Sequence, residues 1–577
     1  MQYTRKEQEK FLDEELFAIS DKFIKLIRKQ ATVLLKEGEV FVSQFIKTDE
    51  TGCAILKMRN SKGLPRKGDY FCATLLVGEM AMFKNWGNIS WAELRKRFQK
   101  DFSEVCCVWL GKTNDPDFSF VGIKGVSIEL SKELKPNCIL VLGPKEPPIA
   151  YFQNLINILR DEPEDSVTGK MLDSELEIQQ WNPIELSGAQ STGDFFRGQL
   201  ALSDEIIIQG PPGTGKTYKM ADLISGLPDD SKILVTALTN RALMELAGKE
   251  SIREKLAKGQ VYKTRLTADE SKELPELHNI EGRDLHCEPG HLTLATFYAA
   301  SHWAKSSEIS QPYDYVIMDE ASQGLFVMLC AVKKLGKKII WIGDQCQMSP
   351  VVNMNSDKII DKNWLPLSSG FKTLCESFSY PSYLLCETYR LNKRTCEFTG
   401  VFYKSALKSI SNNQDLLVPG LPSGGGPVFV PLELELGNRH PNNMIYAVLE
   451  IIHMFYSMND KIQIAILSKF KDTVKHLQKA FITHFGEKNN VIIDTVERVQ
   501  GLTCDVCIFC IPNDLQYMSV EKTLFNVATS RSRCYTIIIA DNSIYNITSI
   551  DVLVKQYLEM LEHVQIQFTP PFFDKNI

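Results

Sequence analysis

The stretch Gly210-Pro211-Pro212-Gly213-Thr214-Gly215-Lys216-Thr217 decides the reading of this chain. It matches G-x-x-x-x-G-K-[ST], directly after the apolar run Ile206-Ile207-Ile208 and ahead of a predicted helix. The glycines allow backbone N–H groups to turn inward around phosphates. Lys216 would supply positive charge to the β- and γ-phosphates of ATP, and the Thr217 hydroxyl would ligate Mg²⁺. The N-terminus of the following helix adds a favourable dipole. A chance glycine-rich turn is the bland alternative; the strand before it and the helix after it argue against one.

About a hundred residues further on, the predicted strand Tyr315-Val316-Ile317-Met318 ends in Asp319-Glu320-Ala321-Ser322-Gln323. Adjacent carboxylates at the end of a buried strand are costly unless they meet something charged. Asp319 is expected to hold Mg²⁺, and Glu320 to orient and deprotonate an attacking water.

Around these two segments, short apolar strands alternate with helices, as a parallel sheet buried on both faces requires. Ile233-Leu234-Val235 and Ile339-Ile340-Trp341-Ile342 belong to this series. A second series runs through Ile464-Ala465-Ile466-Leu467, Val491-Ile492-Ile493, Val506-Cys507-Ile508-Phe509 and Tyr535-Thr536-Ile537-Ile538-Ile539. Two α/β lobes follow. The stretch between them, with Pro422-Ser423-Gly424-Gly425-Gly426-Pro427, reads as loop. Upstream, residues 5–35 carry Leu16, Ile19, Phe23 and Leu26 at helical spacing. From Glu39 to about Leu142 the pattern turns to β-rich runs, among them Val40-Phe41-Val42, Ala54-Ile55-Leu56 and Phe71-Cys72-Ala73-Thr74-Leu75-Leu76, which predict a small β-barrel. A return helix is expected near Tyr151, Leu155 and Ile158.

The 577 residues are 44% hydrophobic and 24% charged, with a net charge of −6. That balance argues against nonspecific attraction to nucleic acid over the whole surface, so any such site must be a local groove. No apolar run reaches the ~20 residues that span a bilayer, and the polar start at Met1–Lys10 does not read as a secretory signal. Fifteen cysteines without paired spacing suit a reducing compartment, so the expected location is intracellular, cytoplasmic or nuclear. Cys504, Cys507 and Cys510 are spaced three apart, as cluster ligands can be. They lie in a predicted buried strand, where core packing is the expected role.

Taken together, the Gly-Pro-Pro-Gly-Thr-Gly-Lys-Thr loop and Asp-Glu-Ala-Ser-Gln resemble the superfamily 1B helicases, the group of the nonsense-mediated-decay helicase and senataxin. The resemblance extends along the chain. Thr236 to Leu243 is similar to motif Ia, with Thr239 and Asn240 where the family touches the nucleic-acid backbone; Thr296 sits at a further such contact. Gly343-Asp344-Gln345-Cys346-Gln347-Met348-Ser349-Pro350 resembles motif III, which makes Gln347 the γ-phosphate sensor. Leu385-Cys386-Glu387-Thr388-Tyr389-Arg390 resembles the segment bearing an arginine finger, and Asn526 to Arg533 resembles motif VI, which carries Arg531. Asp494 to Gly501 resembles motif V and brings Thr495 to the nucleic acid and Gln500 and Gly501 to the nucleotide. Gln190 lies where the family reads adenine, and Tyr389 is expected to stack on it. After Gly501 stands Leu502-Thr503 where the family usually has Arg-Glu.

The resemblance implies an α/β fold of two RecA-like lobes with a β-barrel on a helical stalk. The implied division is a stalk helix at 1–38, a barrel at 39–145, a return helix and linker at 146–180, a first lobe at 181–355 and a second at 356–577. The implied activity is ATP-driven, Mg²⁺-dependent 5′-to-3′ movement on single-stranded DNA or RNA. The alternative is a nucleic-acid-stimulated ATPase that clamps or switches without unwinding. No segment reads as a nuclease, so any effector activity of that kind is expected from a protein partner.

Overall fold

The computed structural model describes residues 3–565, apart from 77–85, 99–102, 178, 413–415, 487 and 500. Six strands come first: β1 (Phe41–Thr48), β2 (Ala54–Arg59), β3 (Tyr70–Leu76), β4 (Ser103–Lys112), β5 (Phe118–Lys124) and β6 (Ile139–Gly143). They pair antiparallel and close into a barrel in the order β1-β2-β5-β4-β3-β6. Alternation of buried and half-buried residues along β1 and β2 is the period-2 pattern of strands with one face on a core. Phe45, Leu56, Val121 and Leu142 fill the inside.

The stalk is two helices packed together, Arg5–Ile27 and Ile149–Asp161. The first ends earlier than the single helix expected over 5–35; a second helix, Ala31–Glu37, follows after Gln30. The fully buried face of the helix Arg5–Ile27 is Gln8, Phe11, Leu12 and Glu15, while Leu16 and Ile19 are only partly covered. The buried Glu15 carboxylate accepts from the backbone N–H groups of Asn353 and Met354 at 2.8 and 2.9 Å, which ties the stalk to the segment after the first lobe's sheet.

The first lobe is a nine-stranded parallel sheet. Its strands are β7 (Ile184–Leu186), β8 (Glu205–Gln209), β9 (Ile233–Ala237), β10 (Val261–Thr264), β11 (His278–Ile280), β12 (Leu292–Thr296), β13 (Tyr313–Met318), β14 (Gly336–Gly343) and β15 (Ser382–Leu385). They run in the order β11-β10-β12-β9-β13-β14-β8-β15-β7. The second lobe is a six-stranded parallel sheet of β18 (Gly426–Pro431), β19 (Ile464–Ser468), β20 (Val491–Thr495), β21 (Cys504–Ile511), β22 (Ser532–Ala540) and β23 (Glu562–His563), in the order β20-β19-β21-β22-β18-β23. Two short strands, β16 (Glu387–Thr388) and β17 (Lys408–Ser409), pair between the lobes. The central strands of both large sheets, β8, β9, β19 and β21 among them, are buried on both faces, as apolar strands with crossover helices demand. These are the two RecA-like lobes.

Two features differ from the sequence reading. β15 pairs with β8 and β7 in the first sheet, so the chain returns to the first lobe after residue 355 and leaves it only beyond Leu385. β18 occupies part of the stretch read as loop: Val428, Phe429 and Val430 are buried and pair with β22. Cys504, Cys507 and Cys510 are all buried on β21, and Cys507 packs its thiol on the Ala528 carbonyl at 3.3 Å, in the core.

Candidate functional site

The site begins where β8 runs into the helix Lys216–Ser225. Gly215 caps that helix in the left-handed region at φ 75°, which a side chain rarely adopts. A Cβ on Gly210 would fall 2.2 Å from Lys216 Cγ, so glycine is what lets the lysine fold back over the loop. The Lys216 ammonium donates to the carbonyls of Gly210 and Pro211. Pro211, Pro212 and Thr214 are buried, and the Thr214 hydroxyl closes the turn on the Pro211 carbonyl at 2.9 Å. Thr217 starts the helix beside Lys216, half-buried.

β13 delivers the two carboxylates. Asp319 is 5% exposed; Glu320 takes φ 52°, a strained backbone for a non-glycine residue that costs about 1–3 kcal/mol and recurs at functional sites. Burial raises the Asp319 carboxyl above the ordinary range. Burial first, and then the Asp319 charge, push Glu320 up to about 7. Glu320 Oε2 is buried without a hydrogen-bond partner among the described residues. Two desolvated carboxylates, one with an unsatisfied oxygen, form a site that a cation or a bound water would complete. Mg²⁺ fits the hard oxygen donors of Thr217 and Asp319.

β14 delivers Asp344, a residue the sequence reading gave no role. Asp344 is 2% exposed. Its Oδ2 accepts from Gln347 Nε2 at 2.7 Å and from the Tyr403 hydroxyl at 2.7 Å. Its Oδ1 accepts from Gln209 Nε2 and the Cys346 N–H, both at 3.0 Å. The Tyr403 hydroxyl in turn accepts from Asn526 Nδ2 at 2.9 Å, and Asn526 also donates to the Cys346 carbonyl at 2.7 Å. Gln347 is therefore held inside a buried polar network that joins the end of the first sheet to the motif VI helix Lys522–Thr529. Tyr403 and Asn526 carry that link, and no local sequence signal marks Tyr403.

The arginines meet this site from the seam between the lobes. Thr388 Oγ1 donates to the Pro212 carbonyl at 2.9 Å, and the Tyr389 N–H donates to the Gly213 carbonyl at 2.9 Å. Gly213 has φ 74°, and a Cβ there would lie 2.4 Å from Arg390 Cβ. The segment expected on the second lobe is thus strapped to the phosphate-binding loop, and Arg390 reaches the second lobe through the Ser530 carbonyl at 3.4 Å. Arg531 is 1% exposed and donates to the Val527 and Leu502 carbonyls at 2.7 and 3.4 Å. Burial is the main cause that lowers the Lys216 ammonium; Asp344 and Asp319 oppose it, and Arg390 and Arg531 add to it. Burial, then Arg531, pull Arg390 down to about 9. Three cations and three carboxylates, Asp319, Glu320 and Asp344, thus meet at the desolvated seam.

Family profiles described as AAA domains match residues 199–353 and 367–543, one on each lobe. The chain is 26% identical over 414 residues to the DNA replication ATP-dependent helicase/nuclease dna2 of Schizosaccharomyces pombe, which covers 63% of this chain and 28% of that protein. It is 24% identical over 444 residues to the DNA polymerase alpha-associated DNA helicase A of the same organism, 62% of this chain and 64% of that one. Putative helicase mov-10-B.2 of Danio rerio is 21% identical over 398 residues, 58% and 39%. The chain belongs to the superfamily 1 helicase family. Its matches span between 12% and 64% of the length of the curated relatives. Among solved structures, the Arterivirus nonstructural protein 10 helicase aligns at 12% identity over 93% of this chain and 82% of its own, with a TM-score of 0.38.

In this superfamily 1 chain the remaining expected contacts divide. Tyr389 is 53% exposed beside the P-loop, with the Lys219 ammonium 5.8 Å from its ring centre. Gln190 is exposed in a short 3-10 turn ahead of the helix Gly193–Leu202. Gly501 takes φ 82° in a turn; Gln500 lies outside the described residues. A cleft of ≈ 2810 Å³ runs between the barrel and both lobes. Thr239, Asn240 and Thr296 line it, the first capping the helix Asn240–Ala247. Thr495 does not: it is 5% exposed, because β20 turns its side chain inward, and Asp494 faces the cleft instead. Sequence reading also missed the barrel's side of the cleft. There Tyr70 is 55% exposed with the Lys145 ammonium 5.5 Å from its ring centre. Across from it, Arg498 of the second lobe pairs with Asp69 at 2.8 Å.

Proposed function

We propose that this chain is an ATP-dependent nucleic-acid helicase that grips one strand in the cleft and couples hydrolysis at the seam to 5′-to-3′ movement. The observation that carries the reading is the convergence of Lys216, Asp319 and Asp344 from the first lobe with Arg390 and Arg531 at one desolvated seam. Phosphoryl transfer demands positive charge where negative charge develops on the γ-phosphate. Lys216 provides it from the loop, Arg390 from the segment strapped to that loop, and Arg531 from the second lobe. Glu320, with an unsatisfied carboxylate oxygen, takes the proton of the attacking water, and Gln347 positions the γ-phosphate from the Asp344 network. Mg²⁺ held by Thr217 and Asp319 would neutralise charge on the β- and γ-phosphates. Tyr389 and Gln190 bind the base, and Gly501 the nucleotide.

Because Arg531 and the Tyr403–Asn526 link sit on the second lobe, turnover requires that lobe to be seated, which ties chemistry to lobe motion. Thr239, Asn240 and Thr296 contact the strand's backbone from the first lobe. The barrel and both lobes act as the cleft's three walls, within the division 1–38, 39–145, 146–180 and two lobes beyond. Fifteen free thiols support work in a reducing, intracellular compartment.

One observation favours a second reading, a clamp that hydrolyses ATP without unwinding: the Arg498–Asp69 pair bridges barrel and second lobe across the cleft. A forked-duplex assay with DNA and RNA arms, run beside ATP turnover, separates the two. Strand release with turnover supports the helicase; turnover on both single strands with no strand release on either fork supports the clamp.

A further inference from the structure

Away from the seam and the cleft lining, on the second lobe, His440, Asp472 and His476 form a cluster in which one ligand atom of each lies within 4.8 Å of the other two. Asp472 and His476 are one turn apart on the helix Lys471–Phe485, so they share a face. His440 comes from the loop just before the helix Asn442–Met458.

The frame holding these side chains is fixed. The buried Thr473 hydroxyl donates to the Arg439 carbonyl at 2.7 Å, next to His440 on one side and Asp472 on the other. Arg439 is itself held by Asp514 at 2.6 Å and lies over the Phe470 ring at 4.7 Å.

The three side chains approach without satisfying one another. His440 Nε2 is 3.5 Å from Asp472 Oδ2, and His476 Nδ1 is 3.6 Å from Asp472 Oδ1. The two imidazoles stack face to face with centres 3.7 Å apart. Ligands around a tetrahedral ion with bonds of ~2.0–2.1 Å stand about 3.3 Å apart, close to the first of these separations. The Asp472 carbonyl lies 2.9 Å from His476 Nδ1. Donation to it places the ring's lone pair on Nε2, the tautomer a metal takes when a carbonyl holds the other nitrogen, so the ligand atom is Nε2 and not the Nδ1 that faces Asp472 Oδ1. All three side chains are between 38% and 50% exposed, so an ion has access, and the His476 ring must turn out of its stack on His440 to present Nε2 to it.

We propose that His440, Asp472 and His476 bind a divalent transition metal, with two imidazoles and one carboxylate selecting Zn²⁺ or a similar borderline ion over Mg²⁺ or Ca²⁺. The ion pins the His440 loop to the helix Lys471–Phe485. The site is separate from the Mg²⁺ expected at Thr217 and Asp319.

The test is equilibrium binding of Zn²⁺, and of Co²⁺ as a spectroscopic probe, to the chelator-treated full chain. Excess Mg²⁺ is present throughout. The expected result is one Zn²⁺ per chain, with affinity falling at least tenfold in both His440→Ala and His476→Ala. The Co²⁺ form should show ligand-field bands without thiolate-to-metal charge transfer. Both histidines are half-exposed, and retained ATP turnover verifies that the variants fold. Zn²⁺ affinity unchanged in both variants, a thiolate charge-transfer band for that equivalent, or no uptake at micromolar Zn²⁺ would each overturn the assignment.

Discussion

Tyr403→Phe removes one oxygen from the seam and leaves the ring's packing in place. The hydroxyl is one of four donors to the buried Asp344 carboxylate, and it is the donor that comes from beyond the first sheet. A hydrogen bond to a charged group contributes about 1.5–3 kcal/mol. Asn526 keeps its bond to the Cys346 carbonyl, so the loss is confined to the Tyr403–Asp344 contact and its relay. If that contact exists only when the lobes are seated, the seating equilibrium falls by roughly ten- to hundredfold, since ~1.4 kcal/mol is a factor of ten. Nucleotide affinity in the first lobe should stay near that of the wild type. The assay is steady-state ATP hydrolysis with saturating single strand, beside nucleotide binding by fluorescence. Stimulated turnover should drop by about one to two powers of ten at nearly constant affinity. Unchanged stimulated turnover in the folded variant would refute the idea that this network joins the lobes.

Arg531→Ala should cut turnover by ~10³-fold or more, the scale of an arginine finger, with little change in ATP affinity. Arg533→Ala should do far less, because its partner is Asp505 at the surface, 3.0 Å away, and such pairs contribute only about 0–1 kcal/mol; the reverse order in a kinetic comparison would sink the assignment. Gly213→Ala forces a side chain into φ 74° and 2.4 Å from Arg390 Cβ. The backbone penalty alone is ~1–2 kcal/mol, so ATP turnover should fall about tenfold or more; wild-type kinetics would show that the strap between loop and Arg390 is dispensable. Arg498→Ala opens the bridge to Asp69 and removes a cation from the cleft. Single-strand affinity should weaken and its salt slope fall by about one, whereas an identical slope would place the strand elsewhere.

What was legible in the sequence was what is local. The phosphate loop and the Asp319-Glu320 pair each carry their chemistry within a few residues, between a strand and a helix, and the structure places them at the ends of β8 and β13, with β14 between. The long buried strands announced themselves by runs of Ile and Val. β18 did not, because its Val428-Phe429-Val430 core is flanked by glycines and prolines that read as loop. β15 is four residues long, and nothing within it says that it pairs back onto β8. The same blind spot hid Tyr403: its partners Asp344 and Asn526 are 59 and 123 residues away in sequence. Thr495 was assigned to the strand contact from its motif, but the pleat of β20 sends it inward and Asp494 outward. Arg390 was placed on the far lobe by the resemblance of its segment to one bearing an arginine finger; the Thr388 hydroxyl and the Tyr389 N–H, bonded to the loop, fasten it to the near one.

The central claim is that one seam hydrolyses ATP in response to a single strand in the cleft. Its most direct test is ATP turnover by the full chain with Mg²⁺, measured without nucleic acid, with single-stranded DNA and with single-stranded RNA, alongside Glu320→Gln. The account predicts that turnover rises with at least one of the two strands, and that Glu320→Gln still binds ATP but shows neither basal nor stimulated turnover. Turnover in the wild type that ignores both strands, or a Glu320→Gln variant that hydrolyses at the wild-type rate, would contradict it.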